Sequence, residues 1–306
     1  MEGSSSQLNP LCNEEVDELK LNFDFEYDDV YFTNLIQKEL NFESILSSSS
    51  NHPSWLIDSR FEAVKWILDT QNLLKYRNQT AYLSVSYLDL FLSIRCINED
   101  KMWVIRLLSV ACLSLAAKME ENNVASLSEY RVSDLGFDCR AVQKMELLVL
   151  STFNWKMSLV TPFAFLRFFV KKLCDQTIEL DHLLSKSVEL VMALLQEIRP
   201  TEYRPSVIAA TAVLAASDWQ MTEETLMLKL TSVALWETSD NQHKQQLLSC
   251  YSLMQRLSTK GNISTPSHTE VDQTLDNNPS LVGSKRRLIF TDSDPNPNLP
   301  SKFSRD

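Results

Sequence analysis

Apolar positions recur at intervals of three and four along most of this chain, the spacing of a helix face. The pattern predicts helices over 28–42, 60–76, 80–92, 102–118, 140–150, 163–173, 183–198, 205–217, 222–230 and 242–257. In the first, Val30, Leu35, Ile36 and Leu40 mark a stripe expected to pack on the body. In the second, Phe61, Val64, Ile67 and Leu68 share one side and Trp66 flanks them. Residues 122–134 read as a loop with one helical turn. Thr161-Pro162 and Arg204-Pro205 open helices, because proline suits the first helical position and threonine caps it. Ser47 to Ser50 and Pro53 form a linker. Residues 1–25 are polar and acidic, and 258–306 are rich in Ser, Thr, Asn, Pro and Asp. Neither end has periodicity, so both are expected to be disordered.

Two helices are apolar on every side, the mark of a bundle centre. One runs through Leu113-Ser114-Leu115-Ala116-Ala117-Lys118 and the other through Ala212-Val213-Leu214-Ala215-Ala216-Ser217. Each lies third in a set of about five helices. This echo points to a duplicated unit whose first copy alone ends in a cation, Lys118. The expected boundaries are 26–158 for the first domain with its preceding helix and 159–257 for the second.

Of four glycines, only Gly136 lies in the body of the chain. Phosphate-cradling loops need several close together, and hairpin-rich folds need glycine turns, so an all-α fold is expected. A net charge of -11 leaves no basic surplus for nucleic acid. The six cysteines are scattered, none in a CxxC pair, which fits a reducing compartment. No signal peptide and no bilayer-spanning run are expected. The histidines (His52, His182, His243, His268) lack metal-ligand spacing, so neither metal nor cofactor is expected.

Lys118 sits in the last turn of its helix, where the dipole favours a cation. Glu146 stands alone before the apolar run Leu147 to Leu150. One isolated base and one isolated acid, each at the edge of an apolar helix, look like a prepared docking point. The bland alternative is a mutual salt bridge with no outside partner.

The segments Arg60 to Ile67, Tyr87-Leu88-Asp89-Leu90-Phe91-Leu92, Leu107 to Glu121 and Met145 to Leu150 together resemble the cyclins, and most closely the plant D-type cyclins. The resemblance implies two tandem five-helix domains, no catalytic activity, and binding to a cyclin-dependent kinase whose active site the chain reshapes to promote G1/S progression. It implies that Lys118 and Glu146 grip the kinase, with Met119, Trp155 and Met157 supplying apolar contacts. Arg60 and Asp89 match a structural bridge between the first two helices of the first domain. The resemblance also implies action in the nucleus, with the cytoplasm as a second location, and kinase-inhibitor proteins as further partners.

Some segments depart from the family pattern. An N-terminal Leu-x-Cys-x-Glu peptide would put three side chains on one face of an extended strand. Here Pro10-Leu11-Cys12-Asn13-Glu14 has proline at the leucine position, so retinoblastoma-type binding is expected to be weak or absent. The surface that docks Arg-x-Leu peptides is interrupted by Ser59 and Glu62 and keeps Ala63 and Trp66. The tail carries Lys285, Arg286, Arg287, Leu288 and Phe290, which read as such a docking peptide or as an import signal. Thr265-Pro266 is a minimal proline-directed phosphorylation site. Three other readings compete: a two-domain transcription-factor core, a cyclin that binds a kinase without activating it, and an all-α terpene synthase. The last would need Asp28-Asp29-Val30-Tyr31-Phe32 as its carboxylate motif, and the final acid is missing.

Overall fold

The computed structural model describes residues 29–46, 53–130, 132–173, 180–198, 202–218, 220–231, 233 and 241–262. Among them lie ten α-helices, two 3-10 turns and no strand. The helices are α1 (Asp29–Leu46), α2 (Ser54–Leu74), α3 (Asn78–Ile94), α4 (Trp103–Glu120), α5 (Cys139–Thr152), α6 (Phe163–Leu173), α7 (Leu180–Glu197), α8 (Pro205–Ser217), α9 (Glu223–Thr231) and α10 (Asn241–Asn262). The first box comprises α2 to α5 with the 3-10 turn Val132–Leu135, and the second comprises α6 to α10. The Pro10–Glu14 peptide, Thr265-Pro266 and the Lys285–Phe290 stretch lie outside the described residues.

Helix α2 begins six residues earlier than the periodicity predicts. Pro53 sits in an extended conformation as its N-cap, and the Pro53 carbonyl accepts the Leu56 N–H at 3.0 Å. Its far end closes with Lys75 at φ 55° and the Tyr76 N–H bonded to the Gln71 carbonyl at 3.0 Å. The inward face of α2 is Arg60, Ala63, Val64 and Ile67, while Phe61 points outward. The expected grouping of Phe61 with Val64 is therefore corrected, because two salt-bridging and packing positions one residue earlier and two later claim the inner face.

Two helices fill the first box. In α3 every residue from Thr80 to Leu92 is buried, and in α4 every residue from Leu107 to Ala117. Small residues at Ala111, Ser114, Ala116 and Ala117 permit the close approach this needs. Helix α8 has the same role in the second box, buried from Ser206 to Ala215. Helix α3 also faces the second box, where Tyr82 meets Phe163 edge-on at 5.9 Å.

Helix α1 precedes the first box in sequence but docks on the second. Phe32 stacks on Phe168 at 3.8 Å between ring centroids and meets Phe165 and Phe169 edge-on. Val30 and Leu40, expected on the packed stripe, are exposed. The aromatic at position 32 sets the rotation of the helix, and Val30 then falls on the solvent side. Buried Glu39 accepts hydrogen bonds from the backbone N–H and the hydroxyl of Ser206, both at 2.8 Å. It thus supplies the carboxylate favoured at a helix N-terminus, where the N-cap Arg204 makes no side-chain capping bond.

Burial also fixes the state of several acidic protons. It pushes the Cys250 thiol up to about 12, partly offset by a hydrogen bond with Thr211. Burial raises Cys112, Tyr82 and Tyr87 as well. In the unfolded chain a thiol ionises near about 8.5. The folded state therefore holds its protons where the unfolded state loses them. This contribution is fully present below that pH and falls away as pH rises towards about 12. The urea midpoint is expected to drop steadily between pH 8 and 11. A flat midpoint over that range would contradict buried, protonated thiols and phenols.

Candidate functional site

Helix α4 delivers Lys118 at its C-terminal turn, and α5 carries Glu146 in the inward series Val142, Met145, Glu146, Val149. The Lys118 ammonium donates to both carboxylate oxygens, at 2.7 and 2.8 Å. The two charges are thus not isolated, as expected from sequence, but bound to each other. The pair is asymmetric: the Lys118 side chain is 48% exposed and that of Glu146 only 9%. An ammonium has three donors, so one N–H remains for an outside acceptor. An acid at a core position of α5 draws the lysine down over the helix.

Apolar side chains are exposed beside the pair in sequence and in the turn beyond α5. Met119, Leu147, Leu148 and Trp155 are all exposed, Trp155 at 67%. Val124, in the loop after α4, is exposed too. Leu147, Leu148 and Val124 were not among the expected contacts. The signal for the two leucines is the inward series of α5 itself, which leaves positions 147 and 148 on the outer side. Met157, expected to be a contact, is instead buried in the core. Its carbonyl accepts the Tyr87 hydroxyl at 2.7 Å, which pulls that residue inward.

The ends of α4 and α5 are held in place. Gln79 donates to Glu120 at 2.7 Å, and the Arg77 N–H donates to Glu121 at 2.8 Å. The Thr80 hydroxyl also donates to Glu121. Glu121, just past the end of α4, therefore caps the N-terminus of α3, whose own N-cap Arg77 makes no side-chain capping bond. The following loop is pinned where the Tyr76 and Tyr130 hydroxyls meet at 2.8 Å and the Ala125 N–H donates to Tyr76 at 2.9 Å. Burial, then the bond with Tyr76, raises the Tyr130 phenol and keeps it protonated.

Helix α5 ends in a tight closure. The Asn154 N–H bonds the Ser151 carbonyl at 3.2 Å, and the Trp155 N–H bonds the Leu150 carbonyl at 2.9 Å. Asn154 takes the left-handed conformation that such a closure requires, at φ 49°. Trp155 is left-handed as well, at φ 62°. For a non-glycine residue that conformation costs about 1–2 kcal/mol.

Arg60 and Asp89 form a bridge between α2 and α3. Arg60 Nε donates to Asp89 Oδ1 at 2.7 Å, and Nη2 to Oδ2 at 2.8 Å. Nη2 also reaches the Ile198 carbonyl at 3.1 Å, so the guanidinium joins α2, α3 and the end of α7. The expected peptide-docking face is altered. Ala63 is buried and Trp66 packs half-buried against the core, because residue 63 shares the inner face with Arg60 and Ile67. The open side of α2 presents Ile57 and Phe61, beside a cleft of about 310 Å³ bounded by Phe61, Lys65, Asp69 and Gln196. Among the described residues no His/Cys/Asp/Glu group could hold a metal ion. No described helix is long and apolar enough to cross a membrane.

Two tandem helical boxes, the first carrying Lys118 and Glu146, define a two-domain cyclin-type fold, and comparison agrees. The family description "Cyclin, N-terminal domain" matches residues 30–158 and "Cyclin, C-terminal domain" matches residues 160–278. The chain belongs to the cyclin family, whose members are regulatory subunits of protein kinases and are not themselves catalytic. It is similar to Cyclin-D5-1 of Arabidopsis thaliana, with 38% identity over 278 residues, spanning 87% of this chain and 83% of the relative. It is 37% identical to Cyclin-D2-1 of Oryza sativa subsp. japonica, over 75% of this chain and 72% of that one. Cyclin-D1-1 of Arabidopsis thaliana is 36% identical over 68% of this chain and 62% of its own length. In fold it resembles a chain of the CAK complex of Chaetomium thermophilum bound to ATP-gamma-S. The TM-score is 0.50 at 12% identity, covering 82% of this chain and 76% of that one.

Proposed function

We propose that this chain binds and activates a cyclin-dependent serine/threonine kinase in the nucleus and thereby promotes passage from G1 into S phase. The observation that carries the proposal is the half-exposed Lys118 over a buried Glu146, together with exposed Met119, Leu147, Leu148 and Trp155. A solvent-facing apolar surface of this kind costs solubility and is a mark of an interaction site. Its centre has a free donor for a carbonyl or carboxylate of the partner. The acidic balance of the chain and the absence of a basic surplus disfavour a DNA-binding core.

The activation is a population shift. A protein kinase works only when its own Lys–Glu ion pair is assembled. A ligand that binds the assembled form more tightly draws the equilibrium to it. Reversing a 1:99 ratio takes about 5.5 kcal/mol of differential affinity. An apolar interface with a desolvated charged centre is of a kind that supplies several kcal/mol.

The test is reconstitution with a recombinant plant cyclin-dependent kinase, measuring phosphate transfer to a Ser-Pro peptide. If the resting kinase is about 1% assembled, the rate should rise towards ~100-fold. Binding with no rise in rate would place the chain among cyclins that occupy a kinase without activating it. Absence of binding to any plant cyclin-dependent kinase would overturn the proposal.

A further inference from the structure

The turn after α5 combines features that do not serve compactness. Phe153 and Met157 are buried at either end of it, while Asn154, Trp155 and Lys156 between them are exposed. Phe153 packs against Tyr87 at 6.0 Å between centroids, and the Tyr87 hydroxyl holds the Met157 carbonyl. The Met157 N–H turns back to the Trp155 carbonyl at 3.1 Å. The helix closure itself needs one left-handed residue, and Asn154 meets that need at modest cost. The second left-handed position would suit glycine, yet it holds the largest side chain of the set, two-thirds in solvent. Backbone conformations of this kind persist where the surroundings over-determine them, and they gather at functional sites.

Resting on the docking function proposed above, we infer that this turn is a rigid display in which Tyr87 and Asn154 position Trp155 as a fixed anchor. The occupant it meets is an apolar pocket on the bound kinase. Trp155 is then more than one of several exposed apolar residues. Its indole is held out before the partner arrives, so little of its freedom is lost on binding. Tryptophan is among the residues that most often dominate binding when they enter a desolvated pocket. Tyr87 contributes from inside the core without touching the partner, and its burial keeps the phenol protonated as a donor.

The experiment is a double-mutant cycle on binding to the recombinant plant kinase. Trp155→Ala is expected to weaken binding by about 30-fold or more. Tyr87→Phe should weaken it several-fold when Trp155 is present and not at all when Trp155 is alanine. Asn154→Gly, which loosens the turn without touching the core, should behave in the same way and serves if Tyr87→Phe does not fold. A thermal melt supplies an independent readout of the backbone: Trp155→Gly should melt higher than Trp155→Ala, the reverse of the usual glycine penalty. Equal losses from Tyr87→Phe in both backgrounds would show that Tyr87 acts through general stability and would overturn the display. So would a lower melt for the glycine variant. If Trp155→Ala binds as wild type while Lys118→Ala does not, the inference fails and the docking function stands. If both bind as wild type, the docking function itself fails.

Discussion

Arg60→Ala is expected to destabilise the fold by about 3–5 kcal/mol. Arg60 and Asp89 form a bidentate pair in which the two side chains are 9% and 1% exposed. Removing the guanidinium leaves the Asp89 carboxylate among apolar side chains of α3 with its cation gone, and strips a donor from the Ile198 carbonyl. For a chain of this size the melting temperature should fall by roughly 10 °C. Any kinase binding would be lost along with the fold rather than by a change of surface. Replacing both partners together, as Arg60→Met with Asp89→Leu, should recover much of the loss, since an apolar pair has no charge to desolvate. Thermal circular dichroism of the three proteins decides the matter. A single alanine variant that melts with the wild type would remove the bridge from the structural account.

Lys118→Ala is expected to do the opposite, leaving the fold standing and removing the partner. The Lys118 side chain is half in solvent, so its bond to Glu146 is worth about 1 kcal/mol after screening. At a desolvated centre of an interface the same truncation costs about 2–4 kcal/mol, or some 30- to 1,000-fold in affinity. Leu147→Glu sharpens the test. Leu147 is 57% exposed in the free chain, so a carboxylate there costs little until a partner covers it. Leu147→Glu should melt near the wild type and Lys118→Ala somewhat lower, because the buried Glu146 carboxylate loses its cation, while both bind the plant kinase far more weakly in isothermal titration calorimetry. Unchanged affinity in both would leave the charged pair as a local salt bridge and nothing more.

Sequence and structure agree most where local pattern and burial coincide. The all-round apolar runs through Ala111 and Ala212 mark α4 and α8, and both lie at the centre of a box. Lys118 and Glu146 stand out as charges at the ends of apolar runs, but periodicity does not tell that they bond to each other. That depends on how α4 crosses α5. The two exposed leucines follow once Glu146 is recognised as a member of the inward series of α5. Met157 does not follow, because its burial comes from a hydroxyl seventy residues away in sequence, on Tyr87. The docking of α1 is least visible of all. Its apolar positions fit more than one rotation of the helix, and Phe32 and Glu39 find their partners only on α6 and α8.

That last arrangement governs the order in which the chain can assemble at the ribosome. Glu39 and Ser206 are 167 residues apart. At about 5–20 residues per second, the first helix leaves the ribosome roughly seven to thirty seconds ahead of the aromatic surface on α6 that will shelter Phe32. For that interval the first box must complete itself without its neighbour. A nascent chain stopped near the middle would present an aromatic helix to the cytosol, a natural mark for chaperone capture or destruction.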